Sequence, residues 1–281
     1  MDPDHPLFNS RRNYSAHGLE GYAAFFDRCT KSEGMILEAT PDYFYQQTAF
    51  KVLINLQPPP TILFILREPA ERAYSLFQFA KNNVGILPAS YSFTSFVDDV
   101  LDVKSNRFNR RPILQNAVEH GKYALHIEPW LDALGESRIK ILLFEDLVSQ
   151  PGRFMDTLTR DLSIASGFYD AYTFEQKNPT YSVRSRRFQS FKNNIGSLRA
   201  LVPFRRFLMP VYKRLNVKPG RPVKTQEDTQ TLYRLCKLFA AYNKTLAALT
   251  GLDLSVWENI AEAVKDVAAP SLSAEIREEL E

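Results

Sequence analysis

The sequence is poor in features that would place it in several large classes. It holds two cysteines in 281 residues, Cys29 and Cys236. Their separation excludes a disulfide framework and the paired spacing of a zinc motif, which leaves two buried thiols as the reading. No apolar run approaches the roughly 18 residues that span a bilayer. Met1 to Pro6 lacks both the basic stretch and the apolar segment of a secretory leader. A cytoplasmic setting is therefore expected, unless the chain is a trimmed fragment. Gly-x-x-x-x-Gly-Lys-Ser/Thr is absent, which counts against a P-loop nucleotide kinase. Acidic residues are missing from Ser182 to Lys224, where 12 Lys or Arg occur without one Asp or Glu. A one-signed stretch of that length suits an acidic ligand, an anionic membrane surface or simply a solvated face. The prolines at 203 and 210 break any long amphipathic face there, favouring an ordinary helical subdomain over a membrane helix. No nucleic-acid partner is expected.

What is present is an ordinary globular composition, 44% hydrophobic and 24% charged, with a formal net charge of +3. The organising stretch runs from Thr61 to Ser75. Ile62 to Leu66 reads as a strand buried on both faces. Pro69 suits the first turn of a helix, and Glu68 and Glu71 suit its positive end. Arg67 then stands at the carboxyl end of a buried strand, where open α/β sheets hold ligands.

Other segments extend the pattern. Gly18 to Cys29 has helical spacing, Met35 to Ala39 reads as a short strand, and Pro41 opens a helix from Asp42 to about Leu56. The helix from Pro69 runs to about Asn82. Ser92 or Thr94 caps a helix that ends near Val103. Tyr123 to Leu134 is helical with a kink or restart at Pro129. Ile139 to Phe144 is a second buried strand, followed by Glu145 and Asp146, and Gly152 to Leu162 is a helix. The alternation predicts an α/β fold with a parallel sheet and helical crossovers. After Leu162 no strand is evident. Phe174 to Arg184 and Lys218 to Pro222 read as loops. Ser190 to Leu215 is basic and helical, and Thr225 to Leu249 is a long helix ended by Gly251.

Four segments in order resemble the sulfotransferases that use 3′-phosphoadenosine-5′-phosphosulfate (PAPS), nearest the bacterial and heparan-sulfate type. Leu37 to Phe44 (LEATPDYF) resembles the family's GEATPSYF. Ile65 to Ser75 (ILREPAERAYS) resembles its LRNPVERAYS motif for the 3′-phosphate. Ile141 to Leu147 (ILLFEDL) resembles a strand end ending in EDL. Tyr242 and Asn243, with Leu246, Leu249, Gly251, Asp253, Leu254 and Trp257, resemble its C-terminal pattern.

The resemblance implies one domain over 1–281 with a P-loop-like fold. An α/β core would cover 1–162 and a mainly helical portion 163–281. It implies transfer of a sulfuryl group from PAPS to a hydroxyl or amine of a glycan, lipid or small molecule. Arg67 and Ser75 would bind the 3′-phosphate of PAPS or of its product PAP. A guanidinium suits that role, because it grips a phosphate through two charged hydrogen bonds. The alternative for Arg67 is an ion pair with Glu71, and for Ser75 simple packing. Lys218, Gly220 and Arg221 resemble a late loop that closes over the cofactor; a basic turn between helices would look the same.

The family's phosphosulfate loop, which follows its first strand, has no counterpart upstream of Glu38. Residues 1–34 contain only Gly18, Gly21 and Gly34, none in a phosphate-binding turn. The first strand, usually central, is accordingly missing beside Ile62–Leu66. A fragment, a catalytically degenerate module that binds PAP or an acidic partner, and a loop supplied by a second chain are the three explanations. His5 stands nearest the family's acidic base and is the candidate catalytic residue. His17, Glu38 and Asp42 are further candidates, with a capping role as the alternative for Glu38. Ala39 occupies a position where glycan-sulfating relatives often carry lysine. No metal site is evident.

Overall fold

Ile62 to Leu66 (β1) pairs in parallel with Ile139 to Leu143 (β2), in a register that sets Ile62 opposite Ile139 and Leu66 opposite Leu143. The structure is a computed structural model and describes residues 14–27, 29, 35–164, 167–175, 182–185, 188, 211–212, 214–218 and 222–272. Among these residues β1 and β2 form a sheet of their own. Parallel pairing requires a crossover, and the chain between the strands supplies it as helices. These are α3 (Pro69–Gln78), α4 (Phe93–Leu101), α5 (Pro112–Gln115) and α6 (Tyr123–Leu134). The preceding helices are α1 (Tyr14–Ala23) and α2 (Gln47–Leu53). After β2 come α7 (Phe144–Ser149), α8 (Pro151–Asp161), α9 (Gln226–Thr250) and α10 (Ser255–Leu272).

Local chemistry sets most of these boundaries. Glu68 accepts from the backbone N–H groups of Ala70 and Glu71 and so caps α3, whose first residue is Pro69. The chain then makes a π-type turn, Phe79–Val84, and leaves it through Gly85 at φ 78°. Ser92 caps α4 by accepting from Ser95. Thr225 and Asp228 form a reciprocal capping box at the start of α9, and Gly251 closes that helix at φ 68°. Pro129 sits inside α6 as a single element rather than restarting it.

Two apolar clusters fill the interior. One joins α3, α4 and α9 through Phe77, Phe93, Phe96, Leu232, Leu235 and Phe239. The other joins the sheet to α6, α9 and α10 through Phe64, Leu66, Ile127, Trp130, Leu246 and Trp257. Gly121 is required where the chain enters α6: an added Cβ would lie 2.7 Å from the Phe239 ring.

Several expectations are corrected. Met35 to Ala39 forms no strand, and Met35, Ile36 and Leu37 are 45%, 55% and 72% exposed. β-branched and apolar residues make a strand only where a ladder partner is present, and among the described residues they have none. β1 is buried on one face only: Phe64 and Leu66 point inward, whereas Ile65 is exposed. The helix expected from Asp42 is instead a 3₁₀ segment, Pro41–Tyr45, separated from α2 by the extended Gln46. The helix expected over 18–29 begins at Tyr14, has a left-handed break at Gly18 and passes into a 3₁₀ turn, Ala24–Phe26. It has no buried residue, so no packed face holds it to the expected span.

A short antiparallel pair, β3 (Ser182–Val183) with β4 (Val217–Lys218), does occur after Leu162. Two-residue strands carry no periodic pattern; the pair is tied by Asn216, whose side chain accepts from Ser185 N–H and donates to Ser185 O. Lys218 is thus on a strand rather than in a loop. Cys29 is exposed; Cys236 is buried, and burial pushes its thiol pKa up to about 12.

Candidate functional site

Arg67 follows the last residue of β1, and three contacts fix the turn that carries it. Its carbonyl accepts from the Tyr123 hydroxyl at 2.8 Å. The next N–H, of Glu68, donates to Glu145 Oε1 at 2.9 Å. The other oxygen of Glu145 accepts from Trp257 Nε1 at 3.0 Å. Glu145 thereby ties the end of β1 to α10 from its place just after β2. These bonds hold the backbone and do not engage the guanidinium.

The guanidinium lies 5.4 Å from the centre of the Phe144 ring and 3.4 Å, through NH2, from Glu71 Oε2. The ion-pair reading of Arg67 is therefore realised, but with a long contact that leaves the side chain 28% exposed. A partly exposed pair of this length contributes little to stability. The remaining N–H groups suit an anion. Ser75 lies one turn beyond Glu71 on α3 and is half-buried, so Glu71 stands between the two residues expected to bind phosphate. The other oxygen of Glu71 accepts from Lys224, which precedes the cap of α9. Beyond its place at the end of the acid-free stretch, Lys224 carries no separate sequence signal.

Comparison with known proteins bears on the same region. Residues 38–194 match the sulfotransferase domain family, and this span takes in Arg67, Glu71, Ser75 and Glu145. The chain belongs to that family. The sulfotransferase domain is 27% identical over 182 residues to the mouse bifunctional heparan sulfate N-deacetylase/N-sulfotransferase 1. The match covers 62% of this chain and 20% of that protein. It is 28% identical over 171 residues to the mouse N-deacetylase/N-sulfotransferase 4, covering 60% and 19%. The domain thus spans about a fifth of the length of these curated relatives. The crystal structure of a sulfotransferase from Alicyclobacillus acidocaldarius superposes with a TM-score of 0.55 at 18% identity, over 92% of this chain and 83% of that one. That likeness supports the α/β, P-loop-like sulfotransferase fold.

The remaining candidates of this sulfotransferase domain are dispersed. His5, Gly220 and Arg221 lie outside the described residues, as does the side chain of Lys218 and most of the acid-free stretch. His17 is exposed on α1. Glu38 accepts from Thr40; burial raises the hydroxyl pKa values of Tyr22 and Tyr43, and the Glu38 charge adds to both. It does not cap a helix: the 3₁₀ segment after Thr40 has no side-chain cap. Among the described residues no group of His, Cys, Asp and Glu could hold a metal ion, and no helix is long and apolar enough to cross a membrane. A cavity of about 260 Å³ opens beside α7 and α8, lined by Leu142, Asp146, Gln150, Arg153, Phe154 and Thr157; Arg67 is not among its walls.

Sequence reasoning also missed a pair of histidines. His120 stacks on Tyr45 with ring centres 3.6 Å apart and planes at 4°, and His126 lies 6.1 Å away. Burial, the Arg72 guanidinium and His126 lower the His120 pKa to about 3. Burial also lowers His126. Both rings are neutral at pH 7, and a base as weak as His120 is poorly matched to deprotonating an acceptor hydroxyl or amine.

Glu68 has a pH-dependent consequence. It is 1% exposed, and burial raises its pKa from 4.5 to about 7 against the two N–H groups it accepts, with Glu71 and Glu145 adding to the rise. Between those two values the folded chain binds more protons than the unfolded one. The stability associated with Glu68 is therefore full below about pH 4.5 and is lost as pH rises through 7. Glu68→Gln removes that slope. Over this range the wild type is expected to lose on the order of 3 kcal/mol more than the variant. Urea unfolding from pH 4.5 to 7.5 measures it, and parallel stability curves contradict it.

Proposed function

We propose that the chain is a PAPS-dependent sulfotransferase that modifies a hydroxyl or amine of a glycan, lipid or small molecule. The observation that carries this is Arg67, fixed at the sheet end by Tyr123 and Glu145 while its guanidinium stays partly open. It occurs within the span that matches the sulfotransferase domain family. The heparan sulfate N-deacetylase/N-sulfotransferase relatives support an amine on a glycan as one member of that class.

The residues fit the nucleotide's 3′-phosphate. Arg67 donates paired N–H groups from just before α3, whose positive end favours an anion, and Ser75, further along the same helix, adds a hydroxyl. PAPS, when bound, supplies the activated sulfuryl group. The protein's part is positioning and charge neutralisation, as in phosphoryl transfer, where the protein does little covalent work. A base must accept the proton of the attacking hydroxyl or amine, and His5 is the proposed one by its position in the resemblance. The Lys218–Arg221 segment is proposed to close over the nucleotide, and a cytoplasmic setting goes with this reading.

Two measurements test it on the chain as it stands. Calorimetry with PAP is expected to show binding, and labelled PAPS with a panel of glycan and small-molecule acceptors is expected to show sulfuryl transfer. Binding without turnover assigns the chain to a degenerate nucleotide-binding module instead. No binding removes the nucleotide assignment.

A further inference from the structure

Glu71 is shared by two cations that come from distant parts of the chain. Arg67 reaches one of its oxygens and Lys224 the other, across 153 residues of sequence in the second case. The carboxylate is 16% exposed, whereas Lys224 is 37% exposed. Lys224 is held in place by its surroundings. It precedes Thr225, which caps α9, and its ammonium lies 5.6 Å from the centre of the Tyr74 ring. The Tyr74 hydroxyl in turn contacts Asp228 of the capping box at 3.4 Å. Two cations far apart in the sequence therefore converge on one carboxylate. An isolated surface ion pair needs no second cation and no such support from a ring and a helix start.

We propose that Lys224 is a second cation of the 3′-phosphate site, and that Glu71 is the internal counter-ion which the phosphate displaces. The proposal rests on the reading of the chain as a PAPS-binding sulfotransferase and extends it to a residue outside the matched span. Without nucleotide, Glu71 keeps the two cationic heads together and limits their repulsion. With nucleotide, the phosphate oxygens take over the N–H groups of both. Glu71 then opposes binding, since it competes for the same donors and repels a phosphate of like charge. The two residues have effects of opposite sign, which a merely structural ion pair does not produce.

The test measures affinity for PAP and for adenosine 5′-monophosphate, which lacks the 3′-phosphate. Lys224→Met is expected to weaken PAP about 10-fold, as loss of one charge-assisted contact does, and to leave the monophosphate unchanged. Lys224→Arg keeps the charge and is expected to hold PAP within roughly threefold of wild type. Glu71→Gln is expected to tighten PAP by roughly threefold or more. Unchanged PAP affinity in Lys224→Met, or equal weakening of both ligands, overturns the assignment of Lys224. Weaker PAP binding by Glu71→Gln overturns its role as a displaced counter-ion. If wild type binds PAP and Arg67→Ala binds it more weakly, either result removes this inference alone; if wild type does not bind PAP, the nucleotide reading itself fails.

Discussion

Arg67→Ala is expected to weaken PAP binding by about 2 kcal/mol or more, the scale of losing a hydrogen bond to a charged group, which is roughly 30-fold. The fold should survive. Among the described residues the guanidinium's one ion pair, to Glu71, is long and partly open to solvent, so its removal leaves no buried charge unpaired there. Lys224 remains beside Glu71 to balance it. The turn itself is held through the Arg67 carbonyl and the Glu68 N–H, both backbone groups that alanine retains. Affinity and stability are therefore expected to separate: calorimetry records the loss while thermal unfolding moves little. Arg67→Lys sharpens the point, since an ammonium keeps the charge but not the paired fork, and it should recover only part of the affinity. If Arg67→Ala bound PAP as wild type does, the guanidinium would have no part in holding the nucleotide.

The route to Arg67 is legible in the sequence because each step is local. Five bulky apolar residues, a proline two residues after Arg67 and an acidic first turn specify strand, turn and helix by nearest-neighbour chemistry. Gly85, Gly251, Ser92 and Thr225 ended or began helices for the same kind of reason. Met35 to Ala39 failed because a strand exists only with a neighbour, which no window of sequence contains. The continuous helix expected from Asp42 to about Leu56 is interrupted at Gln46, since a proline at position 41 permits a 3₁₀ turn as readily as an α-helical one. Glu145 was visible only as part of a family pattern. Its work, joining Glu68 to Trp257 over separations of 77 and 112 residues, belongs to tertiary structure. Lys224 with Glu71, and His120 with Tyr45, are contacts of the same long-range kind.

Trp257 shows how far the site depends on that long-range packing. The ring is 2% exposed, lies 6.0 Å from Tyr123 centre to centre and fills the cluster beneath β1. Trp257→Ala is expected to destabilise the chain by about 3–5 kcal/mol, the usual cost of emptying a buried aromatic site. Trp257→Phe keeps most of the volume and deletes the N–H that Glu145 accepts, so about 1–2 kcal/mol is expected from the bond alone. The bond also has a functional reach. With one oxygen released, Glu145 is freer to leave the Glu68 N–H, and the turn carrying Arg67 loosens. Trp257→Phe should therefore weaken PAP several-fold, although Trp257 has no proposed contact with nucleotide. A cycle with Glu145→Gln isolates the coupling: the two changes should be clearly less than additive in both denaturant midpoint and PAP affinity, because either one already breaks the link. Strict additivity would mean that Trp257 and Glu145 act independently, and that the turn owes its shape to Tyr123 and the cap of α3 alone.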